Sequence, residues 1–321
     1  MSVYDIDGRL KAKAGKEIDV RVFVTGASGF IGSAVVAELL GAGHRVVGLA
    51  RSEESAGAIT AAGAEVHRGS LDDLDSLRAG AAAADGVIHL AYDHDFSRSR
   101  EVAAEVDAGV IQAMGDVLAG SNRPIVIASG LGIAPGRVST EADRAPVGWP
   151  RRASEEVVIG LAQRGVRGAV VRLPPTVHGR GDKGFIQWLI AAARRHGHAA
   201  YVGDGANRWP AVHRFDAARL FRLGVERATA GSILHAVADE GIAVRDIAAI
   251  IARRLEVGVA VKSPEEAGAY FGFLALLVGL DIPASSAHTR AQLDWHPVEP
   301  GLLADLDEGH YFATVAAVAR A

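Results

Sequence analysis

Hydrophobic positions in the first half of the chain fall into short unbroken runs separated by stretches of helical period. Residues 20–25 are β-forming and end at a glycine turn, as a parallel strand buried on both faces should. Beyond the turn, Ile31, Val35, Val36, Leu39 and Leu40 recur at helical spacing and stop at Gly41 and Gly43. The alternation continues with strands predicted at 45–50, 65–67, 86–91, 124–129 and 168–173. Helices are predicted near 55–62, 74–81, 100–118 and 152–164. Strands and helices alternating over short connections predict an α/β protein with a Rossmann-type, doubly wound parallel sheet.

Past Pro174-Pro175 the rhythm breaks. A glycine-rich loop (179–184), a helix (185–196) and a short strand and turn (199–205) come first. Next come a helix over 216–228 with Asp216 as its N-cap and a strand at 232–236 that returns to the main sheet. Helices near 244–254, 264–278 and 286–292 complete the pattern. The organisation expected is a flexible leader (1–19), a dinucleotide-binding core (20–177, rejoined by 210–237) and a smaller substrate lobe (178–209 and 238–321).

The 321 residues suffice for such a core and lobe, and 49% hydrophobic with 22% charged residues is ordinary for a globular enzyme. A net charge of −4 gives no electrostatic reason to expect nucleic acid or an anionic membrane as partner. With no cysteine, disulfides, thiolate nucleophiles and zinc–thiolate sites are excluded. The apolar stretch 267–280 is too short to span a bilayer, and residues 1–19 carry no hydrophobic signal core. A cytoplasmic protein with a small-molecule partner is the expectation.

The turn Thr25-Gly26-Ala27-Ser28-Gly29-Phe30-Ile31-Gly32 follows a strand and opens a helix, the context a dinucleotide-binding glycine motif requires. Gly26 permits the tight turn, Gly29 lets backbone approach a pyrophosphate, and Gly32 lets helix and strand pack closely. Ser28, Phe30 and Ile31 lie along the same phosphate-binding face. The second strand ends Gly48-Leu49-Ala50-Arg51-Ser52 without a carboxylate, and Arg51 suits the 2′-phosphate of NADP. Glu53 and Glu54 follow, so NAD stays open as the second choice.

Together with further landmarks, this turn resembles the short-chain dehydrogenase/reductase superfamily in its extended, epimerase/dehydratase-like form. The landmarks are Gly69-Ser70-Leu71-Asp72-Asp73, His89-Leu90-Ala91, the run from Arg172 through Pro174-Pro175 to His178-Gly179, and Val212-His213-Arg214-Phe215-Asp216. The resemblance implies that Ser70 and Leu71 flank the adenine and that Leu90, Ala91 and Tyr92 line the cofactor. It also implies that Pro174 and Pro175 border the nicotinamide, and it is compatible with a homodimer. His178 stands where the family has a Tyr.

One departure bears on chemistry. The superfamily's reductases use Tyr-x-x-x-Lys, and Glu155 in its usual place puts Arg151 at the Lys position and Val147 at the Tyr position. Valine donates no proton; Arg151 can hold ribose hydroxyls but stays protonated. The usual catalytic Ser falls on Gly130, with Ser129 one place away. The candidates left to move a proton or polarise an oxygen are Tyr92 and His94 after the fourth strand, Ser129, and His178. His213 is expected to brace its helix, His196 and His198 lack a further ligand for a metal, and Tyr270, Phe271 and Phe273 suit a substrate pocket or core packing. The function expected is an NAD(P)-dependent oxidoreductase acting on a small carbonyl or alcohol with a non-standard proton donor. The rivals are a catalytically silent dinucleotide sensor and an epimerase or dehydratase that recycles its cofactor.

Overall fold

Successive side chains of a strand point to opposite faces, and the first strand of this protein feeds two cores at once. Val22 and Val24 enter one hydrophobic cluster and Phe23, between them, enters another. A computed structural model describes residues 20–92, 100–132, 134, 136–149 and 151–313; the leader 1–19 and His94 lie outside them.

The first half runs β1 (Arg21–Thr25), α1 (Phe30–Gly41), β2 (Arg45–Ala50), α2 (Glu53–Ala61), β3 (Glu65–Arg68), α3 (Leu74–Ala82), β4 (Gly86–His89), α4 (Arg100–Leu118), β5 (Pro124–Gly130), α5 (Arg152–Gly160) and β6 (Arg167–Leu173). Then follow β7 (Thr176–His178), α6 (Phe185–His196), β8 (His198–Val202), β9 (Arg208–His213), α7 (Arg214–Arg227), β10 (Ser232–His235) and β11 (Asp239–Ala243). The chain ends with α8 (Val244–Leu255), β12 (Gly258–Lys262), α9 (Pro264–Phe271), α10 (Ala275–Val278), α11 (Ala287–Leu293) and α12 (Leu302–Asp307).

Seven strands form one sheet in the order β10-β6-β5-β4-β1-β2-β3, every pair parallel. The strand order reverses between β1 and β4, so their carboxyl ends border the crevice where open α/β sheets take ligands. Thr25 and His89 face each other across that reversal. One sheet face packs against α1 and α7, the other against α3, α4 and α5. The lobe has its own core around Ile190, Trp209 and Phe271, under a three-stranded sheet (β11-β9-β7) and the pair β12-β8.

The strands β7, β9, β11 and β12 carry no alternation that the sequence reading caught; they are short and paired only through the lobe. The helix at 214–227 begins earlier than expected. His213 is its N-cap, its Nδ1 accepting from the Phe215 N–H, while Asp216 is fully buried inside the helix. The Asp216 carboxylate accepts from the backbone N–H groups of Val298 and Glu299 and from Arg219, so it anchors the late chain. Nearby, Trp295 is buried in the main core and donates its indole N–H to the Asp216 carbonyl at 3.0 Å. The expected helix over 264–278 breaks at Gly272, whose φ of +59° ends α9, and only a 3₁₀ turn joins it to α10. Similarly, α5 gives way to a 3₁₀ turn that ends at Gly165.

Glu155, which served to align the sequence with its family, is a structural residue. It receives two hydrogen bonds from Arg172, 3.0 Å from Nε and 2.7 Å from Nη2, and both side chains are 3% exposed. This bidentate pair ties α5 to β6. Glu155→Ala strands a buried guanidinium and is expected to lower unfolding stability by about 3–5 kcal/mol. Urea denaturation checks this; a loss under about 1 kcal/mol removes the pair from its role as a tie.

Candidate active site

The glycine turn lies against the end of β4. Gly26 has φ +70°, and a Cβ there would stand 2.8 Å from the Ala91 nitrogen, so glycine alone fits. A Cβ on Gly32 would collide with the Gly26 carbonyl, which allows α1 its close seat on the turn. Gly29 is the N-cap of α1 in extended conformation, without a side-chain cap and with no acidic residue in the first turn. A Cβ on Gly29 would meet only the Gly26 oxygen at 3.1 Å. The first N–H groups of α1 and the positive end of its dipole are therefore met by no capping side chain and no acid of the first turn, which fits a dinucleotide diphosphate.

From this turn a buried polar chain leads inward. Thr25 Oγ1 accepts from the Leu90 and Ala91 N–H groups, both at 3.2 Å, and lies 2.7 Å from His89 Nδ1. Two acceptances occupy its lone pairs, so its proton goes to Nδ1 and the imidazole proton sits on Nε2. That Nε2–H donates to Asp107 Oδ1 at 3.1 Å, and the Ser154 hydroxyl donates to the other Asp107 oxygen. Arg151 Nη1 stands 3.4 Å from Asp107, and Arg151 Nη2 donates to the Ala128 carbonyl. Burial alone would raise the Asp107 carboxyl, but the His89 bond and the Arg151 charge outweigh it and hold it below the ordinary carboxylate range. The Arg151 guanidinium in turn covers the Tyr92 ring, 4.2 Å from its centroid.

Ser129, next to Ala128 at the end of β5, is buried, and its hydroxyl has no hydrogen-bond partner. The indole of Trp149 closes over the next residue: a Cβ on Gly130 would lie 3.5 Å from it. β5 pairs with β6 through Ser129 and Arg172, which brings Pro174, buried, and Pro175, half-buried, to the same edge. Ser129, Arg151 and Tyr92 are thus brought together, with Leu90 and Ala91 between them and the glycine turn. Ser70 and Leu71 follow β3, half-buried, on the far side of the turn. Arg51 is exposed, Ser52 caps α2, and Glu53 is bound by Arg68 at 2.6 Å. Val147 is 89% exposed in a turn, so nothing at that position reaches into the crevice.

His178 does not stand open to the crevice. It has no exposed surface, its Nδ1 pairs with Asp305 at 2.9 Å, and its Nε2 is buried without a partner. Asp305 also binds His310 at 2.8 Å; burial raises its carboxyl, and the two imidazoles bring it below the ordinary value. Beside it, the Tyr311 hydroxyl donates to Asp182 and accepts from the Gly179 N–H. Burial, reinforced by Asp182, pushes the Tyr311 phenol far up. This cluster ties the 179–184 loop to the late chain, which is a structural task. Asp305, Glu308 and His310 bring ligand atoms within 4.8 Å of one another, but both Asp305 oxygens are already bound.

Tyr270 and Phe271 are buried in the lobe core, whereas Phe273 is 60% exposed against Trp188. The Tyr270 phenol, pushed up to about 12 by burial, donates to the His198 carbonyl, and its ring stacks on His196. A concavity of about 1130 Å³ lies between α1, α7 and α11, lined by His44 and Arg222 among others, and none of its lining residues belongs to the crevice. Sequence reasoning missed Thr25 as a brace, the His89–Asp107 pair and Trp149. Asp107 did leave a signal, a carboxylate in the apolar stripe of Ala103, Val110, Ile111 and Met114.

The chain is 49% identical over 296 residues to an uncharacterized protein of Schizosaccharomyces pombe, covering 91% of this chain and 100% of that one. It is 28% identical over 230 residues to the 4-hydroxy-2-methyl-3-oxo-4-farnesyl-3,4-dihydroquinoline-1-oxide ketoreductase of Stigmatella aurantiaca, 67% of each chain. Among solved structures, the dTDP-glucose 4,6-dehydratase DesIV of Streptomyces venezuelae with NAD bound aligns at a TM-score of 0.72. That alignment covers 90% of this chain and 95% of that one at 19% identity, a likeness of fold. No described helix is long and apolar enough to cross a membrane. Residues 22–236, from the strand that enters the glycine turn to the end of the seven-stranded sheet, match the family model of the NAD dependent epimerase/dehydratases, and the chain belongs to that family.

Proposed function

We propose that this protein is an NAD(P)-dependent oxidoreductase that interconverts a small organic carbonyl and its alcohol, with Tyr92 as the proton donor. The observation that carries the reading is the buried Ser129 hydroxyl, without a partner among the described residues, one residue after the Ala128 carbonyl held by the Arg151 guanidinium that covers Tyr92. An unpaired buried hydroxyl costs free energy unless a ligand completes it. A carbonyl oxygen at that place accepts from Ser129 and becomes more electrophilic. The nicotinamide, when bound, supplies the hydride.

Tyr92 then gives its phenolic proton to the developing alkoxide. Arg151, over the ring, stabilises the phenolate left behind. Asp107 holds Arg151 in place, and His89 and Thr25 hold Asp107 against the glycine turn. Tyrosine and cation in this arrangement come from the segment after β4 and the N-cap of α5 rather than from one helix turn. The likeness to a protein named as a ketoreductase supports carbonyl chemistry. The choice of NADP rests on Arg51, exposed at the tip of β2, together with the engagement of Glu53 by Arg68, which withdraws a nearby carboxylate from ribose recognition. A dinucleotide sensor without turnover is the second reading, favoured by the exposed valine at position 147.

Oxidation of NADPH measured against a panel of ketones and aldehydes tests the assignment. Tyr92→Phe is expected to lower kcat by about 10²–10⁴-fold while cofactor affinity stays within about twofold. Undiminished turnover in that variant overturns the donor role, and cofactor binding with no turnover of any carbonyl by the parent protein leaves the sensor. Arg51→Ala is expected to weaken NADPH by about 10-fold or more and NADH hardly at all. Equal weakening of the two removes the ground for NADP.

A further inference from the structure

We infer that Arg214 is a clamp on the diphosphate of the bound dinucleotide, reaching it from the lobe side of the crevice and supplying the positive charge that the glycine turn lacks. The inference rests on the dinucleotide reading of the crevice and adds a residue to it.

Arg214 opens α7 directly after β9. Its stem packs beside Gly179, where a Cβ would lie 3.3 Å from Arg214 Cγ and 2.9 Å from His213 Nε2. Gly179 has φ +133°, so the backbone there passes under the arginine in a form that side chains rarely adopt. The guanidinium stacks 5.2 Å from the centroid of Phe30, the first residue of α1, and 4.8 Å from Phe215. The side chain therefore spans from the β7 end to the start of α1, where the free N–H groups and the helix dipole already favour an anion.

Arg214 is half-buried, yet no carboxylate of the described residues comes within ion-pair distance, and its Nε is buried with no hydrogen-bond partner. Burial, with no opposing charge, lowers its pKa from the ordinary value. Other arginines withdrawn from solvent are met by acids: Arg151 by Asp107, Arg172 by Glu155, Arg219 by Asp216, and Arg222 by Glu38 and Glu226. Taking a cation out of water without a counter-charge is unfavourable, and it persists where a ligand brings the anion. The aromatic rings on either side hold the guanidinium plane in place without satisfying its N–H groups. A diphosphate seated on the α1 N–H groups meets both requirements. The 2′-phosphate lies elsewhere, at the tip of β2 with Arg51.

The test is calorimetric titration of the full chain with ADP-ribose, which carries the diphosphate, and with adenosine 2′-phosphate, which does not. Arg214→Gln is expected to weaken ADP-ribose by about 10- to 100-fold and adenosine 2′-phosphate by less than about twofold. Arg214→Lys, which keeps the charge, is expected to recover part of the loss and to rule out a folding defect, with thermal midpoints compared alongside. Unchanged ADP-ribose affinity in Arg214→Gln overturns the clamp, as does a variant that loses both ligands equally. A raised KM for the carbonyl substrate with intact ADP-ribose binding also overturns it and transfers the charge to the substrate. If the parent protein binds neither NADPH nor ADP-ribose, the dinucleotide reading itself fails, a result distinct from all of these.

Discussion

The reversal of strand order between β1 and β4 is possible at this site because the turn after β1 has no side chain where it meets the end of β4. Gly26 lies against the Ala91 nitrogen, and the Thr25 hydroxyl collects the N–H groups of both Leu90 and Ala91. These contacts close the bottom of the crevice with backbone. Everything polar above it is then positioned from Thr25: His89 by its hydroxyl, Asp107 by His89, Arg151 by Asp107, and the Tyr92 ring by Arg151. A hydrogen-bonded chain in a low-dielectric interior has little freedom to adjust one member alone, because each unpaired group there is costly. The cofactor cradle and the proposed proton donor are therefore mechanically one unit.

The cation over the Tyr92 ring is an arginine rather than a lysine. A lysine ammonium is a point charge that adapts to several partners, whereas a guanidinium is planar and demands acceptors in its plane. Arg151 finds them in the Ala128 carbonyl and the Asp107 carboxylate, and presents its face to Tyr92. Asp107 is the residue that compensates the Arg151 charge, 3.4 Å from its Nη1. In the proposed mechanism the cation holds and stabilises, and proton transfer falls to another group.

The six-strand rhythm and the glycine turn were legible in the sequence because both depend on local pattern: unbroken apolar runs, helical spacing and a glycine spelling. Ser129, Arg151 and Tyr92 were legible as candidates because they sit at strand or helix ends near the carboxyl edge. The lobe was less legible. Its strands are three to six residues long and pair across large sequence separations, as β9 does with β7 and β11, so no local alternation announces them. Asp216 reads as a helix cap from its neighbours, but its carboxylate is claimed by Val298 and Glu299, more than eighty residues away. His178 reads as a catalytic histidine until Asp305, distant in sequence, takes its Nδ1. Polar residues buried by tertiary partners look the same in sequence as polar residues awaiting a substrate.

The distribution of carboxylates separates these two kinds of polar residue. Several cations that hold the fold are met by acids, from the fully buried pair Arg172–Glu155 to the half-buried Arg222 between Glu38 and Glu226, and others, such as Arg123 and Arg290, by backbone carbonyls. Around the crevice the matching stops. Arg51 at the tip of β2 and Arg214 at the start of α7 have no acid partner among the described residues, and Arg214 lies against Phe30, the first residue of α1. A protein of net charge −4 has acids enough to neutralise both. On the reading proposed above, leaving them unmatched writes the anionic groups of the ligand into the fold: one charge for the ribose phosphate, one for the diphosphate. In that proposal the charge along the crevice follows the order of phosphate groups along a single nicotinamide dinucleotide.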